Sequence, residues 1–178
     1  ADISDFRIDQ KYEDVSATSF DADNDGDMDI YVVSGGNDYK ENDELMMDRI
    51  YINDGNANFS RLPVALPSTN GSVVVSHDID NDGYDDLFVG SRSIPGGYGL
   101  SPYSFIIKNT RDGNFEPIVQ SRLGMVTDAK WGNIDNDPEF ELIVVGDWTP
   151  VIVINQNQDG KFVASKLKGG ENYYGLWN

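Results

Sequence analysis

Short apolar runs rich in β-branched residues recur along the chain, and segments rich in Asp, Asn and Gly separate them. The clearest runs are residues 30–33, 87–89 and 142–145. No window shows the sustained apolar period of about 3.6 residues that indicates a helix. Short runs bounded by such turn residues are typical of β-strands. The pattern therefore predicts an all-β protein.

The runs form three repeats with one internal order. In each repeat, a strand-like run leads into an acidic window, a second run follows it, and a third run leads into a turn rich in Asn and Gly that ends in Phe. We call the windows the first, second and third acidic loops: residues 21–29 (DADNDGDMD), 78–86 (DIDNDGYDD) and 133–141 (NIDNDPEFE). The turns are predicted at 53–59, 109–115 and 155–162. With the segment after each Phe, every repeat has four short strands, which indicates a repeat architecture.

The net charge of the chain is concentrated in these loops. Its 178 residues include 31 acidic and 13 basic ones, a formal charge of -18, and the three loops hold fourteen of the acids and no Lys or Arg. So acidic a chain is not expected to bind nucleic acid. The absence of cysteine excludes disulfides and zinc-thiolate sites. No apolar run approaches the roughly 20 residues of a membrane span, so membrane insertion is not expected.

The acidic loops have the composition of calcium sites. Ca²⁺ takes about six to eight oxygen ligands, which alternate residues of a tight loop can supply. We expect side-chain oxygens from positions 1, 3 and 5, a backbone carbonyl from position 7 and an acid from position 9. The predicted metal ligands are Asp21, Asp23, Asp25, Asp27, Asp29, Asp78, Asp80, Asp82, Tyr84, Asp86, Asn133, Asp135, Asp137, Glu139 and Glu141.

Two alternatives to this kind of calcium loop are an EF-hand loop and a polar turn that binds no metal. An EF-hand loop opens in the same way but closes with a bidentate acid at position 12 and continues into a helix. Position 12 is Val32, Val89 and Val144, so EF-hand and dockerin-like loops are excluded. A purely polar turn without metal stays open for the third loop, where Asn133 replaces an Asp and Pro138 replaces the Gly. We therefore expect two calcium sites and leave the third open.

The acidic loops and the Asn-Gly-Phe turns resemble the FG-GAP or VCBS repeats of integrin-α-like β-propellers, and residues 20–35 resemble bacterial propellers related to cartilage acidic protein. The resemblance implies four-stranded blades in which the calcium loop joins the first two strands, and an extracellular, cell-surface or periplasmic location. The predicted blades are residues 15–62, 63–118 and 119–168, flanked by an outer strand of a preceding blade in 1–14 and a first strand of a following blade in 169–178. Ragged ends of this kind predict part of a larger propeller, or a chain that associates with itself to cover its open ends.

Connections in an antiparallel meander alternate between the two ends of the strands. The acidic loops and turns should therefore share one end of the blades, which we call the loop face. The other end, the opposite face, receives the long connections 35–48 and 91–103. Long loops on a rigid scaffold often carry binding. The candidate contacts for a protein or glycan ligand are Tyr39, Arg92, Tyr98, Tyr103 and Trp148.

The sequence supports two classes of function. The first is a non-catalytic, Ca²⁺-binding propeller segment of an exported protein that serves as an adhesion-like recognition scaffold. The alternative is a propeller enzyme acting on polysaccharide, a hydrolase or a lyase, in which Glu44, Asp128 or Asp147 would form a carboxylate pair. We find no catalytic motif. His77, the one imidazole of the sequence, is expected to pack or hydrogen-bond beside the second loop.

Overall fold

The computed structural model describes residues 4–40, 43–97, 99–135, 137–157, 159–167 and 169. Over these residues the protein is almost entirely β, which confirms the predicted fold class. The strands are β1 Asp14–Phe20, β2 Asp29–Ser34, β3 Arg49–Asn53, β4 Phe59–Arg61, β5 Gly71–His77, β6 Asp86–Ser91, β7 Ser104–Asn109, β8 Phe115–Ser121, β9 Met125–Gly132, β10 Glu141–Asp147, β11 Ile152–Gln156 and β12 Phe162–Lys166. Two short helices, α1 Ser4–Ile8 and a 3-10 helix Glu44–Met46, complete the described elements. No helix in the described ranges has the length and apolar character needed to cross a membrane.

The strands form three separate antiparallel sheets of four, each in sequential order. We call them the first blade (β1–β4), the second blade (β5–β8) and the third blade (β9–β12). Each acidic loop joins the first two strands of its blade, and each Asn-Gly turn joins the last two. This arrangement confirms the four strands predicted for each repeat. The three described blades do not close into a ring.

Apolar side chains between neighbouring blades form two cores. The first core joins the first and second blades, and the second core joins the second and third blades. Successive side chains of a strand point to opposite faces of its sheet. In β6, accordingly, Leu87 and Val89 enter the first core and Phe88 enters the second. The continuous apolar run 87–89 follows from a blade that is covered on both faces.

Neighbouring blades approach one another differently at their two interfaces. Between the second and third blades, a Cβ atom at Gly90 would lie 2.6 Å from Val126 Cγ1, and it would also lie 2.8 Å from Val73 Cγ1 of its own blade, closer than side-chain carbons approach one another. Between the first and second blades, the ring of Phe115 packs edge-on against Phe20 with 6.0 Å between centroids. Glycine therefore allows close contact at Gly90, and aromatic rings fill the space between β1 and β8.

The structure contradicts the outer strand predicted around residues 5–9. Ser4–Ile8 is helical, and the backbone N–H of Asp9 donates to the carbonyl of Asp5 at 3.0 Å. That strand was predicted from the phasing of the repeats, which leaves residues 1–14 ahead of the first blade. Ile8 is 67% exposed. The strand predicted at 173–178 lies outside the described residues.

Helix α1 forms here because its side chains fit the first blade. The ring of Phe6 stacks on Tyr51 with 4.4 Å between centroids. The Asp5 carboxylate accepts the backbone N–H of Arg61 at 2.8 Å, and Asp9 accepts the Tyr51 hydroxyl at 2.7 Å. These contacts cover the face of the first blade that points away from the second. Tertiary packing therefore determines the structure of this segment.

Candidate metal sites

The first and second acidic loops share one pattern of backbone hydrogen bonds. The position-1 carboxylate of Asp21 accepts the N–H groups of Asp25 at 3.1 Å and Gly26 at 3.0 Å. Asp78 accepts the N–H groups of Asp82 at 2.9 Å and Gly83 at 2.8 Å. The loop therefore closes around its own first carboxylate.

The reversal of each loop depends on residues that accept left-handed backbone angles. Position 4 is Asn24 with φ 62° and Asn81 with φ 58°, and position 6 is Gly26 with φ 94° and Gly83 with φ 89°. Asn and Gly tolerate this region better than other residues do. The repeated Asn and Gly of the sequence motif thus shape the loop.

Three carboxylates converge in each acidic loop. One carboxylate oxygen from each member of a cluster lies within 4.8 Å of the others. The clusters are Asp21, Asp23 and Asp25; Asp78, Asp80 and Asp82; and Asp135, Asp137 and Glu141. Their donor atoms are all carboxylate oxygens, which suit hard divalent cations rather than zinc or copper. All three loops can therefore hold a metal ion.

The electrostatics of the first loop favour a cation. Burial and then repulsion from Asp25 raise the pKa of Asp23, and the same two causes raise the pKa of Asp27. Asp54 of the adjacent turn adds to the repulsion on Asp27. One oxygen of the Asp27 carboxylate, Oδ1, is buried without a hydrogen-bond partner among the described residues. A bound cation would relieve this uncompensated charge.

Position 9 is buried in all three loops, and in the first two it holds the loop against its turn. Asp29 accepts the N–H of Ala22 at 2.7 Å and the N–H of Asn53 at 2.8 Å. Asp86 repeats this with Ile79 at 3.3 Å and Asn109 at 2.8 Å. Burial raises the pKa of Asp86 to about 6, although these N–H groups favour its ionised form. Asp29 and Asp86 lie outside the three-carboxylate clusters.

The third loop is built differently. Asn133 at position 1 donates through Nδ2 to the carbonyl of Asp137. The longer Glu141 at position 9 enters the carboxylate cluster while it accepts the N–H of Ile134 at 2.9 Å. Glu141 thus supplies the third acid that Asn133 cannot. Glu141 was among the ligands predicted from the sequence, and its length is what lets it reach the cluster.

The predicted position-7 residues lie where each loop returns to its second strand. Asp27 and Tyr84 donate their backbone N–H groups at 3.0 Å to the position-5 carboxylates of Asp25 and Asp82. In the third loop, Glu139 donates to Asp137 at 2.8 Å. None of the three side chains belongs to a carboxylate cluster of the described residues. This is compatible with the backbone role predicted for position 7.

Two basic side chains that sequence reasoning missed contact the second loop. Lys108 Nζ donates to Asp80 and, at 3.1 Å, to Asp82 Oδ2. Arg111 donates to the same Asp82 oxygen from Nε at 2.8 Å and Nη2 at 2.6 Å. Burial opposes ionisation of Asp82, but the hydrogen bonds from Arg111, the Tyr84 N–H and Lys108 outweigh it and lower its pKa to about 2. Both basic residues lie beside the Asn-Gly turn of the second repeat, and the sequence signal for the pairs is that this turn is expected at the same end of the blade as the acidic loop.

The sequence-predicted ligand candidates on the opposite face are only partly brought together. Tyr103, 43% exposed, lies in the wall of a cavity of about 250 Å³, and the guanidinium of Arg122 lies 4.4 Å from the centre of its ring. Arg92 pairs with Asp147 at 3.2 Å, and Trp148 is 51% exposed. Tyr39 donates to the carbonyl of Lys11 at 3.4 Å. Tyr98 lies outside the described residues.

The environment of His77 is aromatic. Its ring lies 4.6 Å from Phe140 and 5.4 Å from Trp131, measured between centroids. Phe140 belongs to the third acidic loop and Trp131 to β9. His77 therefore packs between the second and third repeats, whereas the sequence predicted packing or hydrogen bonding beside the second loop.

Fold and loops together define a propeller-like scaffold whose blades each carry an acidic, cation-competent loop. Residues 21–89, from the start of the first acidic loop into β6, match the family model described as an FG-GAP-like repeat. The chain therefore contains an FG-GAP-like repeat, which confirms the predicted resemblance. The finer resemblance to bacterial propellers related to cartilage acidic protein stays a prediction. A search of curated proteins found no match to the chain.

Proposed function

We propose that the protein is a non-catalytic, Ca²⁺-binding propeller segment of an exported or cell-surface protein. The observation that supports this proposal is the recurrence of a three-carboxylate cluster at the same connection of all three blades. Carboxylates crowded in this way disfavour one another's ionisation unless a cation is present. Ca²⁺ suits such flexible, all-oxygen sites better than Mg²⁺, which demands near-octahedral geometry and keeps its own waters.

Some residues of each loop would ligate the ion, and others hold the loop closed. The cluster carboxylates would supply charge and oxygen ligands, and the backbone carbonyls of Asp27, Tyr84 and Glu139 would add to them. Asp29 and Asp86 keep the loop closed against the turn through their paired N–H bonds. Bound Ca²⁺ would supply positive charge that stabilises this closed form, so the role we assign to it is structural.

We further propose that the opposite face recognises a protein or a glycan. The cavity beside Tyr103 supports this because it combines aromatic and polar side chains, a composition common in ligand sites. Its lining residues are Met46, Ser68, Thr69, Asn70, Ser91, Ser93, Ile94, Pro95, Pro102, Tyr103, Phe105, Gln120 and Arg122. Ser91 lines the cavity, and its buried hydroxyl has no hydrogen-bond partner among the described residues, which a ligand group in the cavity would supply.

Calorimetric titration tests the metal proposal. Protein stripped with EDTA should bind Ca²⁺ with higher affinity than Mg²⁺, and Ca²⁺ should raise the thermal midpoint. The exposed Asp23→Asn in the first loop should reduce the bound Ca²⁺, whereas the control Asp38→Asn, an exposed acid of the 35–48 connection, should not. An unchanged midpoint after full metal removal and Ca²⁺ return would overturn the structural role.

Binding to glycan and protein arrays tests the opposite face. Tyr103→Ala should abolish an interaction found on the arrays, and Ile118→Ala, an exposed apolar control on β8, should preserve it.

Incubation with a polysaccharide panel tests the non-catalytic proposal, since release of new reducing ends would favour the enzyme alternative.

A further inference from the structure

The first and second acidic loops share one pattern of backbone hydrogen bonds but face different charges across the last two strands of their blades. Both turns are seven residues long, and their ends pair in the same register, Asn53 with Phe59 and Asn109 with Phe115. By this register, Lys108 of β7 corresponds to Ile52 and Arg111 of the turn to Gly55. Each turn carries one acid, Asp54 in the first and Asp112 in the second, so the two cations beside the second loop are the difference.

The two cations contact the predicted ligands themselves. Lys108 Nζ bridges Asp80 and Asp82, and Arg111 forms a two-nitrogen contact with Asp82 Oδ2. The Asp82 side chain is only 6% exposed, so these pairs are shielded from solvent on one side. Two of the three carboxylates in the second cluster are therefore already neutralised by the chain.

The backbone at Arg111 is unusual for its residue type. It has φ 68°, the left-handed region in which the equivalent Gly55 has φ 74°. A non-glycine residue at such an angle is strained, and strain of this kind persists when surrounding contacts compensate for it. The paired bonds to Asp82 are the contacts that the Arg111 side chain makes there.

We propose that Lys108 and Arg111 are tethered counter-ions of the second acidic loop, which keep it folded without metal and must leave Asp80 and Asp82 before Ca²⁺ is fully bound. This inference rests on the proposed Ca²⁺ function. Its consequence is that the loops fill in order: the first at low Ca²⁺, the second only at higher concentration. At Ca²⁺ concentrations that already saturate the first loop, a change in concentration therefore alters the occupancy of the second loop alone among these two.

Calcium titration of the full chain tests the order of filling. In a background in which Asp135→Asn disables the third loop, Asp80→Asn leaves the first loop to bind and Asp23→Asn leaves the second. The double variant Lys108→Ile, Arg111→Gly, which installs the residues of the first turn, should tighten the second site roughly 10- to 100-fold, since each charged contact it removes competes with the ion. The same double variant should leave the first site unchanged and lower the thermal midpoint in EDTA.

The chemical reactivity of the Lys108 amine provides a second test. Acetylation of Lys108 by acetic anhydride, quantified by mass spectrometry, should increase at the Ca²⁺ concentration that fills the second loop. Lys11, which is exposed and distant from the loops, is the internal control. Equal affinity of the two loops in the natural chain, unchanged in the double variant, would overturn the inference while leaving Ca²⁺ binding intact. Failure of every loop to bind Ca²⁺ would overturn the proposed function and the inference together.

Discussion

The side chain of Asn109 donates from Nδ2 to the backbone carbonyl of Ala22 at 2.8 Å, and both residues are buried. Ala22 is position 2 of the first acidic loop, whereas Asn109 opens the turn of the second blade. The Asn109 backbone N–H also holds Asp86 of the second loop. One residue thus joins the acidic loops of two neighbouring blades.

Replacing Asn109 with Ala should lower the free energy of unfolding by about 1–3 kcal/mol, because the buried Ala22 carbonyl loses its donor. Asn53→Ala is the matched control, since Asn53 holds the equivalent position but donates to Met28 within its own blade, at an exposed site. Urea unfolding of both variants measures the difference. Equal losses would show that the contact between blades adds nothing.

Positions 3 and 9 of the first loop should respond differently to metal. Asp29→Asn removes one of two acceptors from a fully buried group and should cost about 3 kcal/mol with or without Ca²⁺. Asp23→Asn, at an exposed position, should have little effect in EDTA and should reduce only the stabilisation that Ca²⁺ provides. Thermal melts in EDTA and in excess Ca²⁺ separate the two effects. Rescue of Asp29→Asn by Ca²⁺ would instead identify Asp29 as a ligand.

Asp48 should make the stability of the protein depend on pH. Burial raises its pKa to about 7, against the favourable bonds from the Ser34 N–H and the Tyr31 hydroxyl. The unfolded chain ionises Asp48 near its ordinary pKa, so the native state holds the extra proton and the Asp48 contribution to stability is lost between about pH 4 and pH 7. A difference of one in pKa corresponds to about 1.4 kcal/mol.

Asp48→Asn should flatten this decline, since its amide oxygen can still accept a hydrogen bond and carries no charge. Urea midpoints at pH 4.5 and pH 7.5, measured in EDTA, give the comparison. The exposed Asp38→Asn serves as the control and should keep the natural slope. A slope that Asp48→Asn leaves unaltered would count against a protonated Asp48.

Gly90→Ala should destabilise the protein by about 1–3 kcal/mol through overpacking, because its Cβ would press on Val126 and Val73. Gly132→Ala is the control: the nearest atom to its added Cβ, Ile143 Cδ1, lies 4.0 Å away. Chemical unfolding of both variants tests the difference. A neutral Gly90→Ala would mean that the blades separate at little cost.

The features that the sequence predicted correctly are local ones. The acidic loops, the Asn-Gly turns and the strands between them each depend on a few neighbouring residues, so periodicity and turn chemistry were sufficient. Leu87 to Val89 read as a strand for this reason, although only the fold shows that β6 is buried on both sides.

The features that were missed depend on residues distant in sequence. Helix α1 owes its form to Tyr51 and Arg61 of the first blade. Lys108 meets Asp80 across 28 positions of the chain. Glu141 was predicted as a ligand of the third loop, but its entry into the carboxylate cluster together with Asp135 and Asp137, in the absence of a position-1 acid, is visible only in the folded loop. Spacing within a motif carries no information about these partners.

Gly90 lets the second blade approach the third closely, and the rings of Phe115 and Phe20 fill the space between the second blade and the first. The sizes of the side chains at such contacts set the angle between neighbouring blades. In a ring of blades, this angle fixes how many complete the circle. The residues between blades therefore limit the number of blades that can meet without a gap.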